Sequence, residues 1–360
     1  MKLPIANDSI MALHPYQPGA PISEIARKYG IPEDKICKLA SNESPYGPSR
    51  NVLDAISAID KLQLYPDQYQ LIQELARHHD VDADQIILGN GSNDILDLIA
   101  RVYLDKDSEA IAYEHSFLVY KLASCATGAR FVETRARDYG YDLDEMLRAV
   151  NEKTRVIWID NPNNPTGTFI DHEKIRDFLA KVPMRVLVVL DEAYWDYLPD
   201  NLRTDTIGLT EEFPNLIITR TFSKIHGLAA LRIGYAIGHT SIVEPLNRLR
   251  QPFNVNSLGI VAATASLGDT GHIGYVRERT LRSREQIVLG IEQLGLTHIP
   301  SFTNFITVCV KDSARIYELL LARGVIVRPI ANYGLDNYLR ITIGTEEENA
   351  ILLTALKECL

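Results

Sequence analysis

The segment Thr221-Phe222-Ser223-Lys224-Ile225-His226-Gly227 sets one lysine in a hydroxyl-rich turn, ahead of Arg232 and just after the apolar run Leu216-Ile217-Ile218. A desolvated amine near another cation loses part of its charge and becomes a nucleophile. Amines of this kind hold pyridoxal phosphate as a Schiff base. Ser223 and Arg232 are then candidate phosphate ligands, with Arg232 making the bidentate contact that a lysine cannot. Read alone, the segment is equally a strand, a polar turn and a surface lysine.

Three further motifs offer the partners such a lysine needs. Gly89-Asn90-Gly91-Ser92-Asn93 lets a backbone approach a phosphate, and the N–H groups of a helix opening at Ser92 would supply donors. In Asn161-Pro162-Asn163-Asn164-Pro165-Thr166-Gly167, Asn164 is held extended by the following proline, so its amide is available to a phenolate-like cofactor oxygen. Asp191-Glu192-Ala193-Tyr194 ends the most apolar run of the chain, where a carboxylate is costly to bury unpaired. Asp191 therefore needs either a structural ion pair or a cationic partner such as a protonated pyridine nitrogen. Tyr194 is in position to bond the same cofactor's phenolic oxygen, and Glu192 reads as structural.

These residues need elements to hold them. Apolar runs predict strands over 86–88, 110–112, 130–133, 156–159, 186–190, 216–219 and 235–237, with helical patterns between most of them, such as 94–103 and 117–127. Continuous apolar strands alternating with helices indicate an α/β fold with a mostly parallel sheet covered on both faces. Ligands of such sheets bind beyond the carboxyl ends of the strands, and all the motifs above fall on that edge. Residues 1–48 read as a proline-rich arm with one helix near 22–29, packing with the small domain; 49–250 read as the large domain. Residues 251–360 read as a smaller α/β domain: a long helix over 273–294, strands at 305–310 and 338–343, and helices at 314–323 and 346–357.

Composition excludes several classes. The 360 residues are 46% apolar and 23% charged, with a formal net charge of -10, so no broad basic surface for nucleic acid is expected. Cys37, Cys125, Cys309 and Cys359 are too dispersed for a zinc site and suit a reducing cytoplasm. The first residues lack a signal-peptide core, no apolar run approaches a membrane span, and no histidine pattern suggests a metal.

Together the motifs resemble those of the fold type I pyridoxal 5'-phosphate-dependent aminotransferases, over nearly the whole chain. The resemblance implies that Lys224 is the Schiff-base lysine, that Asp191 pairs the pyridine nitrogen, and that Asn164 and Tyr194 contact the cofactor oxygen. It implies phosphate contacts from Gly91, Ser92, Ser223, Arg232 and, more weakly, Thr221, and a ring of Phe117 stacked on the cofactor face. Within that class, Pro15-Tyr16-Gln17-Pro18-Gly19, Asn42-Glu43-Ser44-Pro45-Tyr46-Gly47-Pro48, Tyr65-Pro66-Asp67 and Leu339-Arg340-Ile341 are similar to segments of the histidinol-phosphate aminotransferases. That likeness implies a homodimer in which Tyr65 reaches the phosphate of the partner subunit's cofactor. It places Tyr16, Asn42, Arg328 and Arg340 at the substrate. Two departures stand out: Asn93-Asp94 replaces the family's Asp-Glu, and His115-Ser116-Phe117 replaces its Pro-Thr-Tyr. The implied reaction is amino transfer between L-histidinol phosphate and 2-oxoglutarate. Alternatives are an aromatic amino acid aminotransferase and a decarboxylase of a phosphorylated amino acid. A catalytically silent α/β protein would not need the intact set of lysine, aspartate and arginine.

Overall fold

Side chains alternate across a strand, so an uninterrupted apolar run needs cover on both faces. The computed structural model, which describes residues 6–13, 15 and 19–360, meets that need with two helical layers. The strands in chain order are β1 (Cys37–Lys38), β2 (Ile86–Gly89), β3 (Glu109–Tyr113), β4 (Arg130–Thr134), β5 (Ala136–Arg137), β6 (Gly140–Tyr141), β7 (Thr154–Asp160), β8 (Leu187–Asp191), β9 (Leu216–Thr221), β10 (Gly234–Gly238), β11 (Thr297–Ile299), β12 (Phe305–Cys309), β13 (Val325–Ile326), β14 (Arg328–Pro329) and β15 (Tyr338–Thr342). The helices are α1 (Asp8–Met11), α2 (Ile22–Tyr29), α3 (Arg50–Ser57), α4 (Tyr69–His79), α5 (Ser92–Tyr103), α6 (Leu118–Ala126), α7 (Leu143–Ala149), α8 (His172–Leu179), α9 (Leu209–Glu212), α10 (Thr240–Leu249), α11 (Ser257–Leu267), α12 (Thr270–Gln293), α13 (Ser313–Leu321) and α14 (Glu346–Cys359).

The main sheet has seven strands in the order β2-β10-β9-β8-β7-β3-β4. Only β10 runs against the others, pairing antiparallel with both β2 and β9. β2 is thereby parallel to the remaining strands, and Gly89, Asp160, Asp191 and Thr221 all end at one edge, where β10 begins at Gly234. Within β8, Val188 and Leu190 enter a core with α4, α8 and α11. Leu187 and Val189 enter the opposite core with α5, α6 and α10. The strands expected over the seven apolar runs match this sheet, and burial of its inner strands on both faces explains why.

A four-stranded sheet, β11-β12-β15-β14, forms the second unit. Its core takes residues from α12, α13 and α14, together with Cys37 and Leu39 of the arm. β1 pairs in parallel with β13, tying the arm to this unit. The boundary read from the sequence, with 251–360 in the small domain, is corrected here. Val255, Ile260, Ala262 and Ala263 belong to the large-sheet core, and α11 lies on α3 and α4. A helix with no strand after it looks like a change of domain, but its small apolar side chains let it close that core. The changeover falls within α12. Val276 packs near Tyr194, Ile225 and Phe305, while Ile287 and Ile291 reach the small-sheet core. Glu192, read as structural, accepts from Arg220 Nε and Nη2 at 2.9 and 2.8 Å inside the protein, with the guanidinium over the Trp195 ring.

Candidate active site

A cavity of about 290 Å³ opens at the carboxyl edge of the large sheet, against the small unit. One end is built on the turn between β2 and α5. Gly91 has φ 81° and ψ 161°, a conformation that only glycine adopts without strain. A Cβ there would lie 2.3 Å from Arg232 Nη2, so the missing side chain is what lets the guanidinium settle over the turn. Arg232 itself has φ 51° and donates to Ser223 Oγ at 3.3 Å. Ser92 and Asn93 line the same end at the start of α5, as do Thr221 and Ser223. Thr221 Oγ1 accepts from the Ser223 N–H at 3.1 Å and so shapes the turn that carries Lys224. Asp94 accepts from the Asn90 N–H and from Asn254 Nδ2, both at 2.9 Å, so this side chain closes the turn from behind. The end combines a guanidinium, a hydroxyl and a helix N-terminus, a donor set for a phosphate dianion.

The middle of the cavity carries the lysine and the acids. Lys224 Nζ donates to the Ser41 carbonyl at 3.3 Å. Burial, followed by the nearby Arg340 and Arg232, lowers its pKa to about 8, although Glu43 and Asp191 oppose the shift. A useful fraction of neutral amine therefore exists near neutral pH. Asp191 is buried, and burial pushes its pKa up. Its partners are the Tyr120 hydroxyl at 2.9 Å and the Ala193 N–H at 3.2 Å, both neutral donors. No cation among the described residues pairs with it, so a cationic ring nitrogen has a place here. Phe117 lines the wall as an aromatic face.

The far end is made by the small sheet and the arm. Arg340 on β15 donates to Asn164 Oδ1 at 2.6 Å and to the Ala40 carbonyl at 2.8 Å, and its Nε has no partner among the described residues. Arg328 lies opposite Arg340 in the strand register and lines the cavity too. Because Asn164 Oδ1 receives the arginine, its Nδ2 is the end left to donate. Asn42, with φ 54°, donates from Nδ2 to the Tyr194 hydroxyl at 2.8 Å, and its own N–H bonds Thr342 Oγ1 at 2.9 Å. The Tyr194 hydroxyl stays protonated: burial raises its pKa, against the opposing pull of Arg340 and Asn42.

The structure thus brings together Lys224, Asp191, Tyr194, Ser92, Phe117, Asn164, Thr221, Ser223, Arg232, Asn42, Arg328 and Arg340, with Gly91 supporting them from behind. Tyr65 is not among them: it is 78% exposed and stacks on Phe253 with ring centroids 4.3 Å apart. Tyr16 lies outside the described residues. Sequence reasoning missed Asp160, which also lines the cavity, and Tyr120, which holds Asp191. The predicted strand at 156–159 stopped one residue short of Asp160. Pairing β7 with β8 would have set that acid beside Asp191. No helix among the described residues is long and apolar enough to cross a membrane, and no metal-binding cluster occurs among them.

Comparison with known proteins agrees with this geometry. Residues 34–356 match the family "Aminotransferase class I and II". Histidinol-phosphate aminotransferase 1 of Dechloromonas aromatica is 51% identical over 98% of this chain and 97% of its own length. The enzyme of the same name from Thiobacillus denitrificans is 49% identical over 98% of this chain and 92% of its own. The crystal structure of histidinol-phosphate aminotransferase from Sinorhizobium meliloti in complex with pyridoxal-5'-phosphate superposes with a TM-score of 0.91 at 29% identity, covering 99% of this chain and 98% of that one. The chain belongs to the class I and II aminotransferases and, within them, to the histidinol-phosphate aminotransferases.

Proposed function

We propose that the protein transfers an amino group between L-histidinol phosphate and 2-oxoglutarate, using pyridoxal 5'-phosphate held covalently by Lys224. The observation that carries this reading is a single cavity joining a depressed-pKa lysine to two cationic stations, Arg232 in the turn ahead of β10 and Arg340 with Arg328 on the small sheet. Ser223, Arg232 and the start of α5 suit the cofactor phosphate. Arg340 and Arg328 suit the substrate's anionic end. The cofactor supplies an electrophilic carbonyl and an electron-accepting ring.

The chain's own groups do the rest. Asp191 keeps a positive charge favourable at the ring nitrogen, and Phe117 covers one face. Asn164 Nδ2 and the Tyr194 hydroxyl donate to the phenolic oxygen. Once displaced by the substrate amine, Lys224 Nζ would take the proton from the substrate's reacting carbon and deliver it to the former carbonyl carbon of the cofactor, serving as base and then acid. Arg340 must accept a phosphate from one substrate and a carboxylate from the other, and a planar guanidinium suits both. The two substrates then use one site in turn, giving ping-pong kinetics.

Leu62, Leu64, Tyr65, Tyr69 and Phe253 are large apolar residues left exposed, and Tyr65 stacks on Phe253. In this reading they meet a second copy in a homodimer, where Tyr65 faces the partner subunit's phosphate site. The four cysteines are free, in keeping with a cytoplasmic enzyme. The test is a half-reaction measured by absorbance, in which holoenzyme is mixed separately with histidinol phosphate, phenylalanine and tyrosine. The reading requires the fastest conversion to the amine form of the cofactor with histidinol phosphate. A faster rate with the aromatic amino acids would replace it with the aromatic alternative. Turnover without any 2-oxo acid would point to a lyase.

A further inference from the structure

Asp160 ends β7 directly opposite Asp191 in the parallel register of β7 and β8, and both carboxyls line the cavity. Each is buried, at 4% exposure. Asp160 Oδ1 meets Asn163 Nδ2 at 2.9 Å and the Tyr141 hydroxyl, and Oδ2 accepts from the Asn164 N–H at 2.8 Å. The two amide contacts can only donate, whereas Tyr141 can also accept. Tyr141 already accepts from the Asp160 N–H at 3.0 Å and has a second lone pair, so a proton on Oδ1 can be donated to it while the hydroxyl's own hydrogen turns away from the carboxyl. Two adjacent buried carboxylates do not both ionise without a cation to face them.

We propose that Asp160 is the second acid of the cofactor cavity. It is neutral while the cavity holds no cationic ring, and ionised when a ring nitrogen sits against Asp191. The proton leaves Asp160 for solvent as the ring cation enters, and the Tyr141 hydroxyl then donates to the carboxylate. The inference rests on Asp191 being the ring's partner. The charged and titratable groups facing Asp160 agree with it. Tyr113 on β3, Tyr120 on α6, Tyr141 on β6 and Tyr194 after β8 are neutral hydroxyls, and Asp191 is the acid beside it. Of the cations in the cavity, Lys224 acts on Asp191, and Arg340 bonds the Asn164 side chain of the loop that Asp160 holds. Burial, with Asp191 adding to it, raises Asp160 to about 7 in spite of its three hydrogen bonds. Through the Asn164 N–H, the same carboxylate holds the loop that meets Arg340.

The test labels aspartate carboxyls with ¹³C and follows apoprotein and holoprotein by NMR and infrared difference spectroscopy. One aspartate of the apoprotein should titrate near neutral pH, and addition of pyridoxal phosphate at pH about 6 should remove a protonated-carboxyl band. Asp160→Asn should lack both signals. If that variant does not fold, Asp160→Glu moves the acid out of the labelled set and should lose the titrating aspartate resonance. A wild-type protein with no protonated aspartate at that pH overturns the proposal. So does a band that persists in Asp160→Asn or in Asp160→Glu. Asp191→Asn separates the premise from the inference. If it binds pyridoxal phosphate as tightly as wild type, Asp191 is not the ring's partner. If it weakens binding while the Asp160 signal ignores the cofactor, only the role of Asp160 fails.

Discussion

Gly91→Ala probes the phosphate end of the cavity with a single methyl group. The added carbon would sit 2.3 Å from Arg232 Nη2 and 3.0 Å from its Cζ, so the guanidinium must move. Two costs are separable. The backbone at φ 81°, ψ 161° is a glycine region, and an alanine held there costs about 1–3 kcal/mol. That strain is present with or without cofactor, so it lowers the stability of the apoprotein and leaves affinity alone. Displacing Arg232 acts on affinity, because a hydrogen bond to a charged group contributes about 1.5–3 kcal/mol. At about 1.4 kcal/mol per tenfold, pyridoxal phosphate should bind roughly 10- to 100-fold more weakly. Pyridoxal, which lacks the phosphate, should bind as it does to wild type. The assay is an equilibrium absorbance titration of both apoproteins with both compounds, beside urea denaturation of the apoproteins. Equal weakening for the two compounds would refute the assignment of Arg232 to the phosphate. An unchanged urea midpoint would show that the turn relaxes.

Other perturbations bear on the remaining parts of the site. Arg340→Ala leaves the Asn164 carbonyl and the Ala40 carbonyl without their charged donor, so kcat/KM should fall at least about tenfold for both histidinol phosphate and 2-oxoglutarate. Steady-state kinetics showing a loss for only one substrate would separate their anion sites. Asp191→Asn removes the carboxylate assigned to pair the ring nitrogen and should slow the half-reaction by on the order of 100-fold in stopped-flow absorbance. Lys224 has a folded pKa of about 8 against an ordinary 10.5, so between those values the unfolded chain holds the extra proton. Its destabilising effect is full below the folded value and fades as pH rises through the ordinary one. Lys224→Met apoprotein should thus be inactive yet more stable than wild-type apoprotein by roughly 1–3 kcal/mol at neutral pH, with the gap closing in alkaline urea titrations.

Much of this site is legible in the sequence because its residues stand where apolar runs stop. Asp191 and the Thr221–Lys224 turn follow strands that announce themselves by burial on both faces, and one edge collects every such terminus. Residues that act through long-range pairing are harder to see. Asp160 looks like the first polar residue of a loop until β7 is laid beside β8. Tyr120 is one apolar-face residue of α6 until its hydroxyl is found on Asp191. The Ser41 and Ala40 carbonyls carry no side-chain signal at all, yet they receive Lys224 and Arg340. The short strands β1, β13 and β14 have too few residues to show periodicity, and they are what brings the arm and Arg328 to the cavity. Placing α11 in the small domain failed for the same reason, since a helix does not declare in sequence which sheet it covers.

The central claim is that Lys224 alone carries the cofactor covalently. Reducing the holoenzyme with borohydride fixes that bond, and peptide mass mapping locates it. The account predicts one phosphopyridoxyl group per chain, on the peptide containing Lys224, with none after Lys224→Met. A stoichiometric label on any other lysine, or cofactor that washes out after reduction, would contradict it.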